Sequence, residues 1–196
     1  MEVRRDTGRY AVVDIETSGL KPHRHRILQI AVVTVVDGAI VDEWATLVRL
    51  RWWQRVGPRR VHGISRAHLR RAPELAHALG ELARRLDGST FVAHNVKFDW
   101  AFIERSARRA KVALPDAPRL DTLWMSRSLD PDRQLLHGLA AVAERYGVVN
   151  SRPHDALEDA RTTAAILPHL LAAQPSAPAP VVEPSARIDA HAPPAE

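Results

Sequence analysis

The stretch Ile27-Leu-Gln-Ile-Ala-Val-Val-Thr-Val-Val36, followed at once by Asp37-Gly38 and a second strand-like run over residues 39–50, decides the fold. An Asp-Gly pair between two β-branched runs predicts a tight hairpin, because these residues tolerate the positive φ that such turns need. Upstream, Tyr10-Ala-Val-Val-Asp14-Ile15 is a shorter apolar run closed by Thr17-Ser18-Gly19. The first three strands therefore form a consecutive, largely antiparallel set. Downstream the period changes. Residues 73–86 place Leu75, Ala76, Leu79, Leu82, Ala83 and Leu86 at helical spacing. Residues 90–94 read as a strand, 96–110 as a helix, 119–122 as a brief strand, 135–146 as a helix ending at Gly147, and 156–171 as the last helix. Helices alternating with strands after a hairpin imply right-handed crossovers that add parallel strands. The expectation is an α/β domain with a mixed sheet.

A chain of 196 residues can bury one proper core without a covalent staple. It has no Cys, which excludes a disulfide scaffold, a thiolate metal site and a Cys nucleophile. Acids lie among the first residues, no apolar secretory region follows, and no apolar run approaches a membrane span; a cytoplasmic protein with no membrane partner is expected. The net charge is +5, but residues 1–174 hold 27 of the 28 bases and 20 of the 23 acids, a balance of +7. A basic body suits a polyanion such as nucleic acid, and equally suits plain solubility. Residues 175–196 hold six of the fourteen prolines and few large apolar side chains. Such a segment cannot offset its ordering entropy and reads as a disordered tail behind a domain of residues 1–174.

Three places could carry chemistry. Asp14 and Glu16, two apart at a strand end, project to one face, and adjacent like charges there invite a cation. Asp99 falls at the start of a helix for which Asn95 is placed as N-cap. Asp155 followed by Glu158 resembles a capping box, which would leave His154 just outside the last helix and Asp159 one turn inside it, able to converge. Taken singly, these have ordinary readings as a solvated strand end, a dipole-compensating acid and a surface histidine. Lys21 to Arg26 could meet phosphates or be a solvated loop. For Trp52 and Trp53, interleaved with Arg49, Arg51 and Arg55, half-buried packing is the favoured reading over a stacking platform.

Together the three motifs change the reading. Asp14-Ile15-Glu16-Thr17-Ser18-Gly19-Leu20, His94-Asn95-Val96-Lys97-Phe98-Asp99 and His154-Asp155-Ala156-Leu157-Glu158-Asp159 occur in this order. In these residues the chain resembles the DEDDh 3′–5′ exonucleases, the group that includes DnaQ-like proofreading epsilon subunits of DNA polymerase III. Val61-His62-Gly63-Ile64-Ser65 and Leu120-Asp121-Thr122-Leu123 are also similar, so the resemblance spans roughly residues 9–171. It implies a ribonuclease H-like fold, with a five-stranded mixed sheet flanked by helices. It also implies a metal-dependent 3′–5′ exonuclease that releases nucleoside 5′-monophosphates from DNA 3′ ends in proofreading, repair or end trimming. Asp14, Glu16, Asp99 and Asp159 would hold two divalent ions, Mg²⁺ or Mn²⁺, since hard oxygen ligands favour these over Zn²⁺. His154 would take the proton of the attacking water. Thr17, Leu20, Asn95 and Phe98 would hold the terminal nucleotide. RNA trimming remains open, as does a non-catalytic polymerase-associated module, although the intact set of acids speaks against the latter. A polymerase or other replication or repair partner would be met through the tail.

Overall fold

The computed structural model describes residues 8–174; the tail expected from residue 175 onward lies outside the described residues. Strands β1 (Arg9–Thr17), β2 (Ile27–Val36) and β3 (Ala39–Leu47) form an antiparallel meander. Its tight turn has Asp37 at φ 50° and Gly38 at φ 81°, the positive pair that matches the right-handed twist of the strands. β4 (Thr90–Ala93) then pairs parallel to β1, and β5 (Arg119–Asp121) parallel to β4. The order β3-β2-β1-β4-β5 is a five-stranded mixed sheet of the ribonuclease H-like kind, with β1 at its centre.

Helices α1 (Arg59–His62), α2 (Arg66–Leu69), α3 (Leu75–Leu86), α4 (Val96–Ala110), α5 (Thr122–Ser128), α6 (Leu139–Arg145) and α7 (Ala156–Ala173) flank it. The pleat of β1 sorts its side chains between two cores. Ala11, Val13 and Ile15 pack with Leu79, Leu82, Phe102 and Ile103 of α3 and α4. Val12 packs instead with Met125, Val142, Ala160, Ile166 and Leu167 of α5, α6 and α7. Asp14 and Glu16 share the parity of Val12 and so belong to the α7 side.

Several expectations are corrected. β3 ends at Leu47, not at residue 50: Val48 N–H makes one last rung to Leu28 O, and Arg49 N–H then pairs with Pro73 O rather than with β2. The helix expected from residue 135 begins at Leu139. The Asp130 carboxylate takes the N–H groups of Gln134 (3.1 Å) and Leu135 (2.8 Å), which holds that stretch as a loop. The short helices α1, α2 and α5 have too few turns to print a period. α7 runs on through Pro168 to Ala173.

Candidate active site

β1 delivers the first two acids to one end of the sheet. Asp14 is half-buried and Glu16 buried, and the turn beyond them is tightly made. Thr17 Oγ1 donates to Gly19 O (2.9 Å), and Ser18 N–H pairs with Arg26 O (2.9 Å). A Cβ at Gly19, φ 152°, would sit 2.5 Å from the His25 ring, so this turn requires glycine. Leu20 follows it with 79% of its surface exposed.

The second motif is set by a short strand. β4 stops at Ala93, and Asn95 takes the left-handed conformation (φ 81°, ψ 59°) before α4 begins. Asn95 does stand at the N-cap position, but its side chain makes no capping bond, contrary to expectation. Its left-handed backbone does not aim the amide at the first turn, and its own N–H donates instead to Asp121 Oδ1 (3.1 Å). The same Asp121 oxygen caps α5 through Leu123 N–H (2.9 Å) and Trp124 N–H (3.2 Å). One carboxylate therefore fixes the starts of two helices. Asp99, in the first turn of α4 and 4% exposed, accepts from the Ile15 backbone N–H and so is drawn against the end of β1. Phe98 beside it is half-buried, its ring 5.1 Å from that of Phe102.

The third motif folds as the capping argument requires. Asp155 is the N-cap of α7, accepting from Leu157 N–H (3.1 Å) and Glu158 N–H (3.3 Å). Glu158 does not complete a box. Its carboxylate is drawn away by Ser151 Oγ (2.8 Å) and Arg161 Nη1 (2.6 Å). His154 stands outside the helix, exposed and at φ 67°, and its N–H donates to Asp159 Oδ2 (3.1 Å). Asn150 Nδ2 donates to the other Asp159 oxygen (2.6 Å).

The three motifs meet. Ligand atoms of Glu16, His154 and Asp159 all lie within 4.8 Å of one another, a group able to hold a metal ion. Electrostatics tie in the remaining acids. Burial raises the Asp14 carboxyl well above its usual range, and the charges of Asp99, Asp159 and Glu16 raise it further. Glu16 is pushed up to about 8 by burial and by Asp159 and Asp155. Burial also raises Asp99 and Asp159, against the hydrogen bonds each accepts. Four carboxylates that oppose one another's ionisation at neutral pH form a donor set suited to multiply charged cations. Thr17, Leu20, Asn95 and Phe98 surround this cluster in sequence; Thr17 is buried and Asn95 exposed.

Sequence reasoning missed Asn150, a loop residue with no motif around it. It also gave no role to Asp121, although Leu120-Asp121-Thr122-Leu123 had stood out. A second polar chain lies behind the site. Ser126 Oγ, His137 Nδ1 (2.9 Å), and then His137 Nε2 and Asp130 Oδ2 (3.1 Å) follow the order of a nucleophile, base and acid. Ser126 is fully buried, so this chain is scaffold, and His137 O accepts from His94 Nε2 (2.9 Å), the residue before Asn95.

The raised acids have a consequence for stability. Between the ordinary glutamate value of 4.5 and about 8, folded Glu16 keeps a proton that the unfolded chain has lost. Stability of the metal-free protein should therefore fall as pH rises through that window, by on the order of a few kcal/mol. Glu43 and Glu158 are held below their usual range, Glu43 by Arg161 and Glu158 by Ser151 and Arg161, so their contribution is lost only toward acid, outside the window. Burial lowers His62 and His94, which oppose the decline below about pH 6.5, so the fall is clearest from there to pH 8. Thermal melts in EDTA should show the decline, and Glu16→Gln should make it shallower, the raised Asp14, Asp99 and Asp159 carboxyls supplying the remainder. A stability that rises from about pH 6.5 to pH 8 would contradict this reading of the cluster.

Comparison with known proteins gives a consistent picture. A family model described as Exonuclease (RNase_T) matches residues 11–167. The chain is 33% identical over 157 residues to a DNA polymerase III PolC-type protein of Thermotoga petrophila, covering 80% of this chain and 11% of that protein. It is 29% identical over 184 residues to the 3′-5′ exonuclease DinG of Bacillus subtilis, covering 93% of this chain and 20% of that protein. The chain thus spans about a tenth to a fifth of the length of these curated relatives. Among solved structures, Exonuclease X in complex with 5′ overhanging duplex DNA aligns with a TM-score of 0.64 and 27% identity, covering 84% of this chain and 90% of that one.

Proposed function

The chain belongs to the RNase_T exonuclease family, and from that premise we propose that it removes nucleotides from the 3′ end of DNA by two-metal-ion phosphodiester hydrolysis, with Mg²⁺ or Mn²⁺. The observation that carries the reading is the convergence of Asp14, Glu16, Asp99 and Asp159 beside an exposed His154. Bound cations would supply charge stabilisation for the attacking and departing oxygens.

The remaining work falls to the chain's own groups. Asp14, whose carboxyl is raised by burial and then by the other three acids, would hold the ions together with Glu16, Asp99 and Asp159. Asn150 and the His154 N–H fix both oxygens of Asp159, so that carboxylate arrives oriented. His154 is the general base: its ring is open to solvent and next to Glu16 and Asp159, where it can accept a proton from a water held by the acids. As the imidazole takes that proton, the water oxygen bonds to the terminal phosphorus and the P–O3′ bond breaks. The departing 3′ oxygen takes a proton from solvent, giving a nucleoside 5′-monophosphate and a new 3′ hydroxyl, and the imidazolium returns its proton to solvent. Exposed Leu20 and half-buried Phe98 offer apolar faces to the terminal base, recognition that tolerates any sequence. Thr17 and Asn95 flank them as polar contacts.

End-labelled single-stranded DNA, duplex DNA, mismatched-end DNA and RNA, assayed side by side with Mg²⁺ or Mn²⁺, test the proposal. Mononucleotides released from DNA 3′ ends are expected. Release from RNA alone would move the substrate to RNA, and no release from any strand would leave a binding module. The physiological setting we propose is proofreading, repair or end trimming, with a polymerase or other replication or repair partner engaged through residues 175–196.

That division of labour makes residues 1–174 the catalytic unit. Gln174 belongs to it, because its side chain joins α7 to α5 through Ser128 Oγ and Met125 O, each at 3.2 Å. The chain truncated after Gln174 should keep full turnover on short oligonucleotides. Loss of most activity with an unchanged melting temperature would show that the tail shapes the site.

A further inference from the structure

The loop after β3 departs from what its sequence favoured. Trp52 and Trp53 are not half-buried: they are 83% and 56% exposed. They are held there rather than left loose. Arg66 donates from its guanidinium to the carbonyls of Arg51 and Gln54, Arg51 N–H donates to Gln54 Oε1 (2.9 Å), and Gln54 N–H returns to Arg51 O (3.0 Å). The two indoles meet edge to face at 5.5 Å, and the Arg51 guanidinium lies 5.4 Å from the Trp53 ring centre. A folded chain that fixes two large apolar rings in water is presenting them.

Trp53 forms one wall of a groove of about 460 Å³ that is also lined by Arg26, Arg49, Arg51 and Arg109. Its charge is largely uncompensated. Among the described residues Arg49 alone of these has a carboxylate partner, Glu74 at 3.6 Å, and both are exposed. Arg26 Nε is buried without a hydrogen-bond partner. Arg109 is held below its usual range by burial and by the charges of Arg26 and Arg105, so these cations repel one another as the chain stands. The groove adjoins the turn that closes the first motif. Gly57, φ 82°, packs so closely on the first motif that a Cβ there would lie 2.3 Å from Ser18 O. Arg26 N–H donates to Ser18 Oγ (2.9 Å), two residues beyond Glu16.

We propose that this Trp- and Arg-lined groove binds the single-stranded stretch of nucleic acid behind the 3′ terminus, with phosphates on Arg26, Arg51 and Arg109 and bases stacked on Trp52 and Trp53. Charge complementarity selects a polyanion. Exposed, rigid rings select one with unpaired bases, since bases inside a duplex offer no free face to stack. The inference rests on the nucleic-acid reading of the site but is separable from it, because strand binding requires neither cations nor cleavage.

The test uses the full chain in EDTA with fluorescently labelled oligothymidylates, a trinucleotide and a dodecanucleotide, read by anisotropy. The trinucleotide reaches the terminal-nucleotide site alone; the longer strand also fills the groove. Trp52→Ala/Trp53→Ala should weaken dodecanucleotide binding about tenfold or more and leave the trinucleotide unchanged. Trp52→Phe/Trp53→Phe should restore most of the loss, which a merely disturbed fold would not do. Arg51→Ala and Arg109→Ala should each reduce the slope of log affinity against log salt by about 0.7. Equal loss for both lengths, or undiminished dodecanucleotide binding in the alanine pair, would overturn the proposal and leave the rings as a protein-docking surface. Wild-type protein that binds the dodecanucleotide yet cleaves nothing would refute the exonuclease reading and leave the groove standing.

Discussion

Asp14→Asn should lose about 10³-fold or more in turnover, since several kcal/mol of charge stabilisation depend on the ions this carboxylate would share. The same substitution should make the metal-free protein slightly more stable. Asp14 is half-buried, faces the α7 side with Glu16, and is opposed electrostatically by Asp99, Asp159 and Glu16. An isosteric amide removes that opposition without changing the packing of Val13 or Ile15 on the other face. A gain of about 1 kcal/mol would raise the melting temperature by roughly 2–4 °C in a domain of this size. Calorimetry with Mn²⁺ checks the cause. Metal binding should collapse in step with activity, and Mn²⁺ binding equal to that of the wild type would remove Asp14 from the ligand set.

Removing the imidazole at position 154 should cost about 10²–10⁴ in rate while Mn²⁺ affinity and the KM for DNA stay near wild type. The backbone dictates which variant gives a clean answer. At φ 67° an alanine adds strain, whereas His154→Gly accepts the conformation freely and leaves a hole beside Asp159. Added imidazole should then restore part of the rate. The geometry admits a rival, since the ring nitrogen lies within 4.8 Å of Glu16 and Asp159 oxygens and could itself be a ligand. If metal affinity falls together with the rate, the histidine is a ligand and the base must be sought elsewhere.

What the sequence revealed followed from local rules with single outcomes. A β-branched run broken by Asp37-Gly38 has one economical conformation, and Asp14-Ile15-Glu16 can present its acids only to one side of a strand. The capping role of Asp155 was legible because it asks for an oxygen two and three residues from a helix start. The failures were tertiary. Asn95 lacks its expected capping bond because its left-handed backbone turns the side chain away from the first turn, a conformation in which Asp121, 26 positions away, receives its N–H. The helix expected from residue 135 starts only at Leu139, because Asp130 takes the amides of Gln134 and Leu135. Asn150 reaches Asp159 across a loop whose path no periodicity encodes. Apolar rings such as Trp52 and Trp53 usually pack, and here Arg66, at the start of α2, frames their turn in the open instead.

The left-handed backbone at residues 95 and 154 also acts as a filter on drift. Both positions stand where a motif passes into its helix, and both have positive φ without being glycine. Asn, Asp, His and Gly occupy that conformation at little cost, whereas valine, isoleucine and threonine collide with their own carbonyls. A lineage that ceased to need cleavage would therefore not scatter evenly at position 154. It would settle on asparagine, aspartate or glycine, each one or two nucleotide changes from a histidine codon, and keep the entry into α7 intact. Silent descendants would consequently look structurally sound and still bind strands, so inactivity in this lineage should be recognised by what replaces His154 rather than by any loosening of the fold.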